Sequence, residues 1–171
     1  MNRPQNTEYA AYYENYVSLV KENDIVAVLE TQQLEFLEAT KEITEEKGAY
    51  RYAEGKWSIK ELVGHLIDGE RIFAYRALRF ARADQTPLEG FEQDGYIENA
   101  RFDTALLENL IAEFSLLRQA NILFFKNLAD QDWLRSGLAS GAEVTVRALA
   151  YIMAGHVRHH LKILHARYLD Q

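Results

Sequence analysis

The sequence predicts an all-α protein: a four-helix bundle with a short helix ahead of it and a long crossover between helices two and three. Three observations carry this expectation. Apolar residues recur at three- and four-residue spacing in four long segments, the mark of helices with one buried stripe. Only two prolines interrupt the 171 residues, and the alternation expected of strands is scarce. The stretch from Asp84 to Phe102 is rich in turn signals and too long for a simple antiparallel turn. In a four-helix bundle such a crossover lets consecutive helices run parallel.

A chain of this length buries roughly two thirds of its unfolded surface in a single core. No stretch reads as a repeat, a low-complexity segment or a linker, so one domain over residues 1–171 is expected. The formal net charge of −7 and the scatter of the cationic residues argue against a nucleic-acid partner, since phosphate contacts need clustered Lys and Arg. No run approaches the 18 or so apolar residues of a membrane span, and Met1 to Asn6 is polar with no secretory core. The expectation is a cytoplasmic protein with no membrane partner. There is no cysteine, which excludes disulfides, thiolate ligands and a cysteine nucleophile.

Met1 to Gln5 reads as a frayed start, and Thr7 to Val20, with Tyr9, Tyr12, Tyr13 and Tyr16, as a short docking helix. The first long helix is predicted from Asp24 to Glu45 on the spacing of Ile25, Val28, Leu29, Gln32, Phe36, Leu37 and Ile43, with Gly48 as its stop. Ser58 followed by Glu61 is a capping box, and Trp57 and Leu62 are spaced for a hydrophobic staple. Helix two therefore runs from Ser58 to about Ala83. Its Arg71, Arg76, Arg79 and Arg82 read as a solvated or salt-bridged face. Between Asp84 and Phe102, Leu88, Phe91, Tyr96 and Ile97 suggest a crossover that lies across the bundle. Asp103 is placed to cap helix three, which reaches about Leu128. A second connection, Ala129 to Glu143, contains Trp133 and two Ser-Gly pairs, and Thr145 caps the last helix.

That last helix carries His156, His159, His160 and His165; the fifth histidine, His65, lies in helix two. On a helical wheel His160 falls about 40° from His156, beside Leu149 and Ile163, so both face the core. His159 lies at the margin of the stripe, about 60° away, and His165 points outward. Two imidazoles one turn apart can present their nitrogens to one cation. Neutral imidazoles buried together in a Leu-rich stripe lack polar partners otherwise. A third ligand must come from a facing helix, and His65 is the histidine left. The predicted metal ligands are thus His65, His156 and His160, a set that leaves coordination positions open, as in catalytic sites. Glu61, Asp68 and Arg76 share a wheel sector with His65 and are candidates for supporting roles: carboxylates that orient the imidazole, and a cation that pairs with Asp68 or binds a ligand carboxylate. Tyr151, Tyr96 and Phe91 are candidates to line the cavity.

The stretch Trp57-Ser58-Ile59-Lys60-Glu61-Leu62-Val63-Gly64-His65-Leu66-Ile67-Asp68-Gly69-Glu70, then Tyr75-Arg76-Ala77, Gly155-His156-Val157-Arg158-His159-His160-Leu161 and Arg167-Tyr168 resembles the DinB-like superfamily over nearly the whole chain. The resemblance implies a four-helix bundle with the long crossover between helices two and three, and a divalent metal, zinc or nickel, on a histidine of helix two and a His-x-x-x-His of helix four. It also implies frequent homodimerisation. Better understood relatives are thiol-dependent enzymes, so the expected activity is S-transfer from a metal-activated low-molecular-weight thiol to a small-molecule substrate. Metal-dependent hydrolysis and a non-catalytic metal-binding bundle are the alternatives.

Overall fold

The longest helix starts where its local signals put it. Ser58 Oγ accepts from the Glu61 N–H at 3.1 Å, and the Glu61 carboxylate accepts from the Ser58 N–H at 2.7 Å. This closed capping box satisfies two amides that a helix start leaves unpaired. In the computed structural model, which describes residues 2–169, helix α4 then runs Ile59–Ala81. The other elements are α1 (Glu14–Val17), entered through a 3₁₀ turn at Ala11–Tyr13, α2 (Ile25–Thr40), α3 (Glu45–Gly48), α5 (Gln93–Ala100), α6 (Leu107–Lys126), α7 (Asp130–Trp133), strands β1 (Ser136–Ala139) and β2 (Ala142–Thr145), and α8 (Val146–Ile163). A π-helical turn, Leu164–Leu169, follows α8.

The four long helices are α2, α4, α6 and α8. α4 packs on α6 and α8, and α2 packs on the same two, so α2 and α4 lie across a diagonal. The consecutive helices α2 and α4 are thus not packing neighbours, whereas α4 and α6, joined by the long crossover, are.

Local signals and tertiary contacts divide the credit for the helix ends. Thr145 caps α8 as expected, and Asp24, the expected start of helix one, caps α2; they accept from Ala148 N at 3.0 Å and Ala27 N at 3.1 Å. The predicted helix from Asp24 to Glu45 instead ends at Thr40, whose hydroxyl turns back to the Phe36 carbonyl at 2.9 Å. Thr44 then caps the separate helix α3. Helix three starts at Leu107, four residues after the expected cap Asp103, which sits in a 3₁₀ turn. The reason is a distant partner: the Leu107 N–H donates to Glu45 Oε2 at 2.9 Å, so α3 supplies the acceptor that caps α6. At the N-terminus Met1 lies outside the described residues, but the frayed start does not extend further, since Pro4 is buried and Arg3 donates to the Val17 carbonyl at 3.3 Å.

Both connections hold structure that the periodicity does not announce. The crossover contains α5, and the second connection folds into α7 and an antiparallel hairpin in register Ser136↔Thr145 to Ala139↔Ala142. Its two-residue turn, Ser140-Gly141, has φ of 53° and 76°. Positive φ at both positions is what a turn matched to strand twist demands. Leu88 of the crossover joins the hairpin, donating to the Leu138 carbonyl and accepting from the Ser140 N–H, both at 2.9 Å. The start of the crossover is therefore fixed by a strand-like contact to the hairpin tip.

The interior is two apolar clusters with a polar layer between them. One holds Phe36, Leu62, Leu66, Leu110, Phe114, Val157 and Leu161; the other holds Val28, Phe73, Phe80, Ile122, Phe125, Leu149 and Met153. At the level between them each long helix contributes a polar residue: Gln32 from α2, Glu70 from α4, Arg118 from α6 and His156 from α8, all 4% exposed or less. Arg118 donates to both Glu70 carboxylate oxygens at 2.7 and 2.8 Å and to Gln32 Oε1 at 2.8 Å. Gln32 Nε2 donates to the Ala154 carbonyl at 2.8 Å, and Asn121 to Glu70 at 3.0 Å. This network is satisfied from all four helices, which makes a buried ion pair tolerable.

Candidate metal centre

His65, on the second turn of α4, and His156 and His160, one turn apart on α8, meet where His156 joins that polar layer. One ring nitrogen from each lies within 4.8 Å of the others, and the three are 4%, 4% and 8% exposed. The Nε2 atoms of His65 and His156 are 2.8 Å apart. Aromatics pack around the rings: Trp57 lies tilted beside His65 with centroids 4.8 Å apart, and Tyr16 and Phe73 meet His156 in T-shaped contacts at 5.3 and 5.7 Å. Two glycines make this packing possible. A side chain on Gly69 of α4 would run into the His156 ring, and one on Gly155 of α8 would stand 2.2 Å from the Tyr16 carbonyl oxygen.

Burial keeps the imidazoles neutral. Loss of hydration, with a smaller contribution from His159, brings His65 down to about 4, and burial with the neighbouring histidines brings His160 down to about 3. Burial, then the neighbouring histidines and Arg118, holds His156 well below the usual histidine range. Each ring therefore carries one N–H and one lone pair at neutral pH. His160 Nδ1 is buried and has no hydrogen-bond partner among the described residues. Three neutral imidazoles converging, one with an orphaned nitrogen, form a donor set that suits a divalent cation of the zinc, nickel or copper type. The residues present therefore fit such an ion.

A cavity of about 470 Å³ opens on this cluster, lined by Tyr12, Tyr13, Tyr16, His65, Gly69, Phe73, Gly90, Phe91, Gln93, Ser140 and His156. Its rim is built from the N-terminal tyrosines, the crossover and the hairpin tip, three segments outside the long helices. Burial raises the Tyr13 and Tyr16 phenols, so both stay protonated. A larger groove of about 910 Å³ between α2 and α6 shares no residue with this cavity and contains no histidine.

The structure brings together His65, His156 and His160 and leaves His159 half-buried against Tyr16 and His165 exposed. Glu61 and Asp68 make no hydrogen bond to His65. Both oxygens of Glu61 are taken by the Ser58 amide and Arg51, because a carboxylate in the first turn folds back toward the unpaired amides. Half-buried Asp68 is raised by burial and feels Arg71 and Glu113, placing it toward α6. Arg76 does not pair with Asp68; it reaches the Glu89 carbonyl and Ser140 Oγ, both at 2.9 Å, and Tyr13 Oη at 3.4 Å. Of the suggested cavity aromatics only Phe91 lines it. Tyr151 is fully buried with its hydroxyl on the carbonyls of Glu22 and Asn23, and Tyr96 lines a neighbouring cavity. Tyr12, Tyr13, Tyr16 and Ser140 were not legible as site residues, because their arrival depends on the folding of connections.

Fold and site together define a helical-bundle protein with a buried three-histidine centre. The DinB superfamily model matches residues 29–164, and the chain belongs to that superfamily. Among solved structures it is similar to YfiT from Bacillus subtilis, described as a probable metal-dependent hydrolase with an unusual four-helix bundle topology. The TM-score is 0.73 at 18% identity, over 98% of this chain and 90% of that one. It is also similar to the mycothiol-dependent maleylpyruvate isomerase, with a TM-score of 0.69 at 11% identity, over 81% of this chain and 58% of that one. At these identities the likeness is one of fold. A comparison with curated proteins finds no match. No helix among the described residues is long and apolar enough to cross a membrane.

Proposed function

We propose that this chain is a metal-dependent enzyme, an S-transferase that takes a low-molecular-weight thiol as nucleophile, with His65, His156 and His160 holding one zinc or nickel ion. The observation that carries the reading is the composition of the cavity wall. It holds no carboxylate, and the protein has no cysteine. A wall with neither thiol nor carboxylate favours a nucleophile brought from outside, and no Asp or Glu lines it to serve as a general base for water, the usual partner in zinc-dependent hydrolysis. A divalent ion bound there would draw the proton from a thiol or water near neutral pH. All three donors are neutral, so the protein offsets none of the ion's charge, and an anionic fourth ligand is favoured. His65 and His156 line the cavity and hold the donors toward it, while Trp57, Tyr16 and Phe73 pack around the rings and exclude water. The aromatic rim made by Tyr12, Tyr13 and Phe91 suits a partly apolar electrophile.

Hydrolysis is the second reading, supported by the description of YfiT. A panel of small thiols with a chromogenic electrophile decides between them. Metal-dependent conjugation that vanishes in His156→Ala is expected; turnover of an ester in the absence of any thiol, with no conjugation, would replace S-transfer by hydrolysis.

A further inference from the structure

Three arginines lie along α4 and a fourth, Arg82, caps its end; all but Arg76 are accounted for at the surface. Arg71 pairs with Glu113 at 2.6 Å, Arg79 pairs with Asp84, and Arg82 lies over the Phe124 ring. Arg76 differs from all three. It is 3% exposed, yet among the described residues no carboxylate pairs with it. Its partners are a carbonyl and two hydroxyls, all neutral. The other deeply buried arginine, Arg118, has a two-pronged carboxylate partner in Glu70. A guanidinium taken out of water without a counter-charge is unfavourable, and a fold that keeps one commonly uses it for a ligand.

The position of Arg76 says what ligand. Three of the groups around it, Tyr13, Ser140 and Phe91, line the histidine cavity, and Arg76 itself lines an adjoining cavity of about 340 Å³ that shares Gly90 and Phe91 with the first. The guanidinium therefore stands in the wall between the two. Ser140 Oγ accepts from Arg76, and among the described residues nothing accepts its own proton, so a hydroxyl backed by a cation lines the cavity. The tight turn that places Ser140 is itself held by the Leu88 carbonyl on the Ser140 N–H. His65 and Arg76 are eleven residues apart on one face of α4, about 16 Å along the helix axis. We propose that Arg76 and Ser140 form a carboxylate subsite, so that the substrate or thiol is an elongated molecule with its reacting group at the histidines and a carboxylate at the far end. The proposal rests on the functional reading above for the reacting end only; the subsite stands on its own residues.

Octanoate against octanamide, two eight-carbon ligands of nearly equal size and unequal charge, tests it by calorimetry on the metal-free and the zinc-loaded protein. The carboxylate is expected to bind about tenfold or more tighter than the amide, and Arg76→Gln is expected to erase that preference while leaving octanamide affinity and zinc stoichiometry unchanged. Arg76→Lys, which keeps the charge and loses the fork, should retain part of it. Equal binding of the two ligands to the unaltered protein overturns the subsite whether or not any variant folds, and so does a preference that survives in a folded Arg76→Gln. A separate arm with 12-mercaptododecanoate, whose extended chain is long enough to join the histidines to Arg76, and the cobalt-substituted protein reports on the functional reading. Absence of a thiolate-to-cobalt absorption band, with the octanoate preference intact, would sink the thiol chemistry and leave the carboxylate site standing.

Discussion

Gly69 of α4 lies directly against the imidazole of His156 on α8: a Cβ built on Gly69 would stand 2.9 Å from Cε1 and 3.2 Å from Nδ1 of that ring. The glycine is part of the centre without offering it an atom. In a helix interior, glycine to alanine ordinarily stabilises by about 0.5–1 kcal/mol. Here Gly69→Ala should leave helicity intact and lower zinc affinity by about 10-fold or more, the size of effect seen when a ligand's supporting contacts are lost. Competition with a chromophoric chelator measures it, and unchanged affinity would show that the His156 ring is free to move aside.

Acid should unfold the metal-free protein through its histidines. With the unfolded reference near 6.5, and His65 and His160 held down at about 4 and about 3, the unfolded state binds more protons at every pH between those values and 6.5. Stability is therefore fully present above about pH 6.5 and falls as the pH drops toward 4, by about 2 kcal/mol for His65 alone at pH 5. Urea midpoints at pH 7 and pH 5 check this. His65→Asn should flatten the slope, and an unaltered slope would show that other groups govern it.

The Arg118–Glu70 pair sets a different test. Glu70→Gln leaves the guanidinium buried and unpaired, and should lose about 3–5 kcal/mol. Replacing both, Arg118→Met with Glu70→Leu, removes the uncompensated charge, and should recover much of that loss. If the double variant is as unstable as the single one, Gln32 and Asn121 depend on the pair for more than charge balance.

Zinc should raise the melting temperature in proportion to the logarithm of its free concentration, reaching about 2.7 kcal/mol of added stability at 100 times the dissociation constant. His160→Ala is expected to abolish the rise. A rise that persists in that variant would place the ion elsewhere.

What could be read in advance was local. The capping box at Ser58, the start of helix one at Asp24, the cap at Thr145 and the inward faces of His156 and His160 follow from local signals along single helices, and His65 follows as the histidine left on another helix. Helix three was placed early because its cap is not local: Glu45, 62 residues away in sequence, receives the Leu107 amide. The polar layer escaped for a related reason. Gln32 counts as one more member of an apolar stripe, and Arg118 as a surface cation, until four helices bring their side chains to one level.

The sequence by itself determined a helical bundle, the starts of three of its long helices and the three histidines that converge in it, because periodicity and capping are properties of a single segment. Only the tertiary structure decided the rest of the centre: the tyrosines and the Ser140 turn at the cavity rim, the glycine that admits His156, and the burial of Arg76 without a counter-charge. Those features arise where separate segments meet, and no spacing along one helix encodes a distance between two.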